Sequence, residues 1–248
     1  MKIMKTVQAA RINALSRRRF LVASSLLLLV PLARRARAAE PLKIGVIGSG
    51  RLGGTVGSLW VKAGHRVMFS GLDLAEVKQF IAPLGPNALA GTPEEAARFG
   101  DVVFTAVPYG ALPSVGKQIA EGIRGKVVLD SSNPVPQRDG EVGVASRARG
   151  TGVASAEFLP GARLVRAFNS VGFGILQKEA HRAGERIAIP LAADDKAALD
   201  VAKRLVEDAG FEPVVIGGLA RAKDFDAGTP MYGKGWTAKE LRGGLKPD

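Results

Sequence analysis

Gly48-Ser49-Gly50-Arg51-Leu52-Gly53 spaces three glycines as G-x-G-x-x-G, directly after the apolar run 42–47. In that setting each glycine has its own task. The first makes a tight turn, the second lets backbone approach a pyrophosphate, and the third lets a helix pack closely on the strand. The N-terminus of that helix then stabilises phosphate charge. Within a strand–turn–helix–strand unit this pattern points to dinucleotide binding. The competing reading is a glycine-rich turn in a sheet that binds nothing. An NAD enzyme usually carries Asp or Glu at the end of the second strand, for the ribose hydroxyls. Here Ser70 stands there, followed by Gly71 and Leu72. The missing carboxylate favours NADP, with NAD as the alternative. Asp73 reads better as the N-cap of the next helix than as a ribose ligand. Arg51 and Lys78 are the nearest phosphate partners in sequence.

The other polar residues at strand ends are Pro108-Tyr109, Ser131-Ser132-Asn133 and Phe168-Asn169-Ser170. They contain no convincing acid–base pair, which counts against ketone or alcohol reduction. They suit hydride transfer between two stacked rings, where proximity and orientation dominate and the cofactors carry the chemistry. No catalytic residue is assigned. Tyr109 is the one candidate proton donor and reads better as lining a nicotinamide pocket. Asn133 or Asn169 would orient the nicotinamide amide, or cap a loop. With no Cys and only His65 and His181, no thiolate chemistry is available and a metal site is not expected. His65 reads as structural or surface, His181 as an exposed residue of a polar helix, and Trp60 as core.

Short apolar runs alternate with amphipathic stretches along the chain. Strands are expected at 42–47, 65–70, 101–107, 126–130, 163–168, 186–192 and 213–216. Helices are expected at 52–62, from Asp73, from Thr92-Pro93-Glu94-Glu95, over 111–121, after Asp194 or Asp195, and from Thr237. The runs DVVFTAV and KVVLD are apolar throughout, as strands buried on both faces are. Strand–helix alternation calls for a parallel sheet covered by helices. The expected fold is α/β: a Rossmann-type doubly wound parallel sheet in a single compact domain over 39–248, with extra elements after about residue 140.

The net charge of +12 suggests a polyanion partner until its location is considered. Nine of the cations, and no acid, lie in residues 1–38. The rest carries about +3, an ordinary value for a globular domain. The segment has Ser16-Arg17-Arg18-Arg19-Phe20-Leu21, then an apolar stretch too short to span a bilayer, then Ala36-Arg37-Ala38. It reads as a cleaved twin-arginine (Tat) signal peptide, residues 1–38, which implies periplasmic location and no membrane span after cleavage. An uncleaved anchor and a basic tail are the alternatives. No nucleic-acid partner is expected, because no basic patch with interleaved aromatics remains.

Five blocks, KIGVIGSGRLG, DVVFTAVPYGAL, GKVVLDSSNPV, LPGARLVRAFNSV and VAKRLVEDAGFEPVVIGGLARA, resemble in order and spacing the NADPH-dependent coenzyme F-420 reductases. That domain is shared with the reductase domain of the STEAP ferric reductases. The resemblance spans about 42–245. It implies that Ser49, Gly50, Arg51 and Leu52 hold phosphate and that Ser70 touches the 2′-phosphate of NADP. It places Val107 and Pro108 beside ribose and nicotinamide. Asn133-Pro134 and Phe168-Asn169 fall at the nicotinamide and deazaflavin pocket. The family usually has Arg after that serine, where this chain has Gly71. Typical members are also cytoplasmic. The implied activity is hydride transfer between NADPH and F-420 or another flavin, as a small-molecule redox partner, in a homodimer. The alternatives are a non-catalytic NADP-binding sensor or carrier, and a dehydrogenase of a small carbonyl or imine.

Overall fold

A computed structural model describes residues 40–245, so the expected signal peptide lies outside the described residues. Among the described residues, eight strands form one sheet: β1 Lys43–Ile47, β2 Arg66–Ser70, β3 Ala88–Ala90, β4 Val102–Thr105, β5 Val127–Asp130, β6 Arg163–Arg166, β7 Ala188–Ala192 and β8 Glu212–Gly217. Their order is β3-β2-β1-β4-β5-β6-β7-β8. The first six are mutually parallel, as alternation of strand and helix requires. β7 then pairs antiparallel to β6, through Arg166 and Ala192, and β8 runs parallel to β7. The sheet is therefore Rossmann-type with a reversed two-stranded edge. Apolar pattern alone does not reveal strand direction, and β3 is too short to stand out in the sequence.

The helices that position the site are α1 Arg51–Lys62, α2 Leu74–Ile81, α3 Pro93–Phe99, α4 Leu112–Ile123, α5 Pro136–Arg149 and α6 Thr151–Phe158. α7 Phe173–Glu179, α8 Lys196–Asp208 and α9 Ala238–Gly244 complete the set. Among the described residues, no helix is long and apolar enough to cross a membrane. Local sequence fixes several of the helix ends. Thr92 and Glu95 form a reciprocal capping box, as do Thr237 and Glu240. Asp73 accepts from the N–H groups of Ala75 and Glu76, and Asp195 from that of Ala198. α1 ends in a Schellman turn, with Gly64 N–H on Val61 O and His65 N–H on Trp60 O.

Alternate residues of the central strands feed two cores. Ile44, Val46, Val102, Phe104, Val127 and Leu129 pack with α1 and α8 on one face. Ile47, Val103 and Val128 pack with α3 and α4 on the other. Trp60 is fully buried, donates to Leu205 O at 2.8 Å and meets Phe104 and Phe168 edge-on. It is core, as expected. His181 is exposed but lies in a turn after α7 rather than in a helix.

His65 is a structural cross-link. Its Nδ1 accepts from Leu42 N–H and its Nε2 donates to Asp208 Oδ2, both at 3.0 Å. Burial pushes its pKa down, against the pull of Asp208. The unfolded chain, with a histidine pKa of about 6.5, therefore binds protons more readily than the fold does. The stability His65 contributes is complete above that pH and is lost as pH falls towards the folded value. Urea unfolding at pH 7.5 and 5.5 is expected to show this drop. His65→Gln is expected to be less stable at pH 7.5 and to drop less. An equal drop in the variant would assign the dependence to other groups.

Candidate functional site

The glycine turn links the ends of β1 and β2. The N–H groups of Gly48 and Ser49 both donate to Ser70 O, at 3.1 and 2.8 Å. Gly48 has φ 95°, and a Cβ there would stand 2.6 Å from Ala106 O. A Cβ on Gly53 would come within 1.9 Å of Gly48 O, so only glycine lets α1 pack onto the turn. Gly50 differs from both: a Cβ there would meet no atom within 4 Å. Open space of this kind is what the close approach of a pyrophosphate needs. α1 has neither a side-chain cap nor an acidic residue in its first turn. Its leading N–H groups thus lack an intrahelical partner and favour an anion.

Two clefts meet at this turn. The first, about 540 Å³, is lined by Gly48, Ser49, Gly50, Ser70, Gly71, Leu72, Asp73, Glu76, Phe80, Val107 and Pro108, among others. The second, about 390 Å³, is lined by Leu52, Val107, Pro108, Ser131, Ser132, Asn133, Arg138, Asn169, Phe173 and Tyr232, among others. Ala106, Val107 and Pro108 belong to both. The crevice runs across the carboxyl ends of β1 and β4, where the strand order reverses, which is the ligand position of open α/β sheets.

The crevice thus gathers Gly48, Ser49, Gly50, Leu52, Ser70, Val107, Pro108, Asn133 and Asn169, with Gly53 buried beneath the turn. Arg51 lines neither cleft. It lines a neighbouring hollow, with its guanidinium 5.4 Å from the centre of the Phe173 ring. Ser70 is fully buried and its hydroxyl donates to Val46 O at 2.9 Å, so that hydroxyl is already engaged. Asn133 Nδ2 donates to Asn169 O at 2.6 Å, and Asn169 Nδ2 to Asp226 Oδ1 at 3.1 Å. Ser132 Oγ and Asn169 Oδ1 are buried in the wall of the second cleft with no partner among the described residues. Orphaned polar atoms of this kind mark where a polar ligand group fits. The open space at Gly50 and these two atoms match the needs of a nicotinamide dinucleotide.

Tyr109 corrects the sequence reading. It is fully buried, its hydroxyl bonds to Ser155 Oγ at 3.2 Å, and it lines neither cleft. Burial also raises its pKa. Phe168 is likewise core. Its φ of 60°, unusual for a bulky residue, accompanies a ring packed on Trp60 and Phe211, while Asn169 next to it lines the cleft.

Sequence reasoning missed the floor of the site. Arg166 and Asp130 are both fully buried and paired, and Arg166 also faces Asp226 at 3.5 Å. Asp130 Oδ1 accepts from Thr105 Oγ1 at 2.8 Å and from Ser132 N–H at 3.0 Å. Asp226 bonds Thr151 Oγ1 as well as Asn169. Burial works against the Arg166 charge, but Asp130 and Asp226 outweigh it and hold the pKa above the usual arginine range. Burial pushes Asp226 up, against the pull of Arg166. On the wall, burial of Asp139 is outweighed by Arg138 and by the N–H groups of Val135 and Gly110, and its pKa is held at about 2. Tyr232 and Arg138 were also missed. They lie in segments with no strand or motif signal.

Residues 43–134 match the family described as NADP oxidoreductase, coenzyme F-420-dependent. This match contains the glycine turn, two of the five blocks that carry the resemblance and all but the last residue of a third. A hypothetical protein from Sinorhizobium meliloti has the same fold, with TM-score 0.70 and 23% identity over 80% of this chain and 96% of its own. A proposed F-420-dependent NADP reductase from Arthrobacter sp. FB24 aligns with TM-score 0.60 and 21% identity, over 73% of this chain and 87% of its own. An imine reductase from Myxococcus stipitatus aligns with TM-score 0.57 and 16% identity, over 76% of this chain and 59% of its own. At these identities the alignments show the fold. No curated protein matches the chain in sequence. The family match supports an NAD(P)-dependent oxidoreductase.

Proposed function

We propose that this protein passes hydride between NAD(P)H and a ring-shaped acceptor, coenzyme F-420 or another flavin, and that it works in the periplasm after twin-arginine export. One observation carries the reading: the open Gly50 turn shares a crevice with a second cleft whose wall holds two unpartnered buried polar atoms. The dinucleotide, when bound, supplies the hydride. Ser49, Gly50, Arg51 and Leu52 offer their backbone to its pyrophosphate, between Gly48, which sets the turn, and Gly53, which seats α1. Ser132 Oγ and Asn169 Oδ1 offer a donor and an acceptor for a carboxamide. Asn133 holds Asn169 in place by its bond to the Asn169 carbonyl. Val107 and Pro108 wall both clefts, so a bound ligand is kept in register across the turn. Ser70 supports the turn through its carbonyl. The second cleft also has an apolar side, Val135, Val171 and Phe173, suited to a flat ring.

Purified protein is expected to oxidise NADH or NADPH with F-420 or FMN as acceptor. No turnover with either acceptor would contradict the proposal. A second reading, reduction of a small carbonyl or imine, is favoured by one residue. Tyr232, a 40% exposed residue, lines the second cleft, where proton donation would be needed. Tyr232→Phe separates the two. Turnover with F-420 or FMN is expected to stay within about threefold, whereas general acid catalysis would lose roughly 100-fold or more.

A further inference from the structure

The first cleft differs in one respect from what a phosphorylated ribose requires. Its wall at the end of β2 is formed by Ser70, Gly71, Leu72 and Asp73, continued by Glu76 on α2. Asp73 and Glu76 are exposed carboxylates, and among the described residues no Lys or Arg lines the cleft. The two cations nearest in sequence do not line it. Arg51 lies over Phe173, and Lys78 is not part of the cleft wall. The Ser70 hydroxyl is spent on Val46 O. Gly71 leaves little room for a longer side chain, because a Cβ there would meet Val77 Cγ2 at 3.0 Å and Ser49 Oγ at 3.2 Å.

We infer that Asp73 and Glu76 are the specificity determinants of this cleft and that they select a dinucleotide with a free ribose 2′-hydroxyl, NAD(H), over NADP(H). The inference rests on the dinucleotide reading of the site and names its preferred form. A 2′-phosphate would bring up to two negative charges beside two carboxylates, with no Lys or Arg among the described lining residues to neutralise them, and like charges so juxtaposed are strongly unfavourable. A 2′-hydroxyl can instead donate to a carboxylate. Asp73 does both jobs through separate oxygens. Its Oδ1 accepts from Ala75 N–H at 2.7 Å and caps α2, which leaves Oδ2 for a ligand.

The test is a fluorescence titration of the purified full chain with NADH and with NADPH at moderate salt. NADH is expected to bind at least about tenfold more tightly. In the double variant Asp73→Asn, Glu76→Gln that ratio is expected to shrink several-fold, mainly through tighter NADPH binding. Asn is as good an N-cap as Asp, so the variant keeps the start of α2. Equal or tighter binding of NADPH by the unchanged chain would overturn the inference and leave the dinucleotide site intact. An unchanged ratio in the double variant would overturn the role of these two residues. Failure of both nucleotides to bind would overturn the dinucleotide reading itself, and this inference with it.

Discussion

Gly50→Asp is expected to remove dinucleotide binding, by roughly 100-fold or more, while leaving the fold as stable as before. The two effects separate because of what surrounds this position. No atom lies within 4 Å of a Cβ placed there, so the added side chain strains nothing in the unliganded protein. Gly50 is also the N-cap of α1, with φ −64° and ψ −166°, and Asp is among the best residues for such a position. The added carboxylate would occupy the approach to the helix N-terminus and repel phosphate. Gly53→Ala is the contrasting case. Alanine favours a helix over glycine by about 1 kcal/mol. That gain cannot offset a Cβ placed 1.9 Å from Gly48 O, so α1 must move away from the turn. This variant is expected to lose both stability, by about 1–3 kcal/mol, and binding. Thermal melts and NAD(P)H titrations of both variants check the pair. A Gly50→Asp protein that binds normally would contradict the role given to the turn.

Arg166→Met is expected to destabilise the protein by about 3–5 kcal/mol, since it strands two buried carboxylates. Asp130 is fully buried and Asp226 nearly so, and both face the guanidinium. The damage is expected to reach the site, because Asp226 holds Asn169 and Asp130 holds Ser132 N–H. Adding Asp130→Asn is expected to recover part of the loss. The amide oxygen can keep the bonds from Thr105 Oγ1 and Ser132 N–H without a buried charge. Urea unfolding of the single and double variants measures this. A loss below about 1 kcal/mol for Arg166→Met would show that the ion pair does not hold the floor of the site.

The part of the site legible in the sequence is the part built from contiguous residues. The glycine spacing, the helix start at Thr92-Pro93, the capping box at Thr237 and the two-face burial of β4 and β5 are local patterns, and the structure repeats them. What was illegible depends on contacts between residues far apart in the chain. Arg166, Asp130 and Asp226 come from two strands and a C-terminal segment, and none carries a motif. Tyr109 looked like a cleft residue because it follows Pro108. One residue further on, the chain turns into the core and its hydroxyl reaches α6. The antiparallel step between β6 and β7 has no signature in apolar pattern either. Asp73 was read from sequence as a helix cap, and the structure adds that the same side chain lines the first cleft.

The central claim is that the turn 48–53 cradles a dinucleotide. A crystal structure of the protein grown with NADH or NADPH tests it most directly. Pyrophosphate density against the backbone of Ser49 to Leu52, with the nicotinamide amide at Ser132 and Asn169, is the predicted result. A dinucleotide bound elsewhere, or a turn left empty at saturating ligand, would contradict the account.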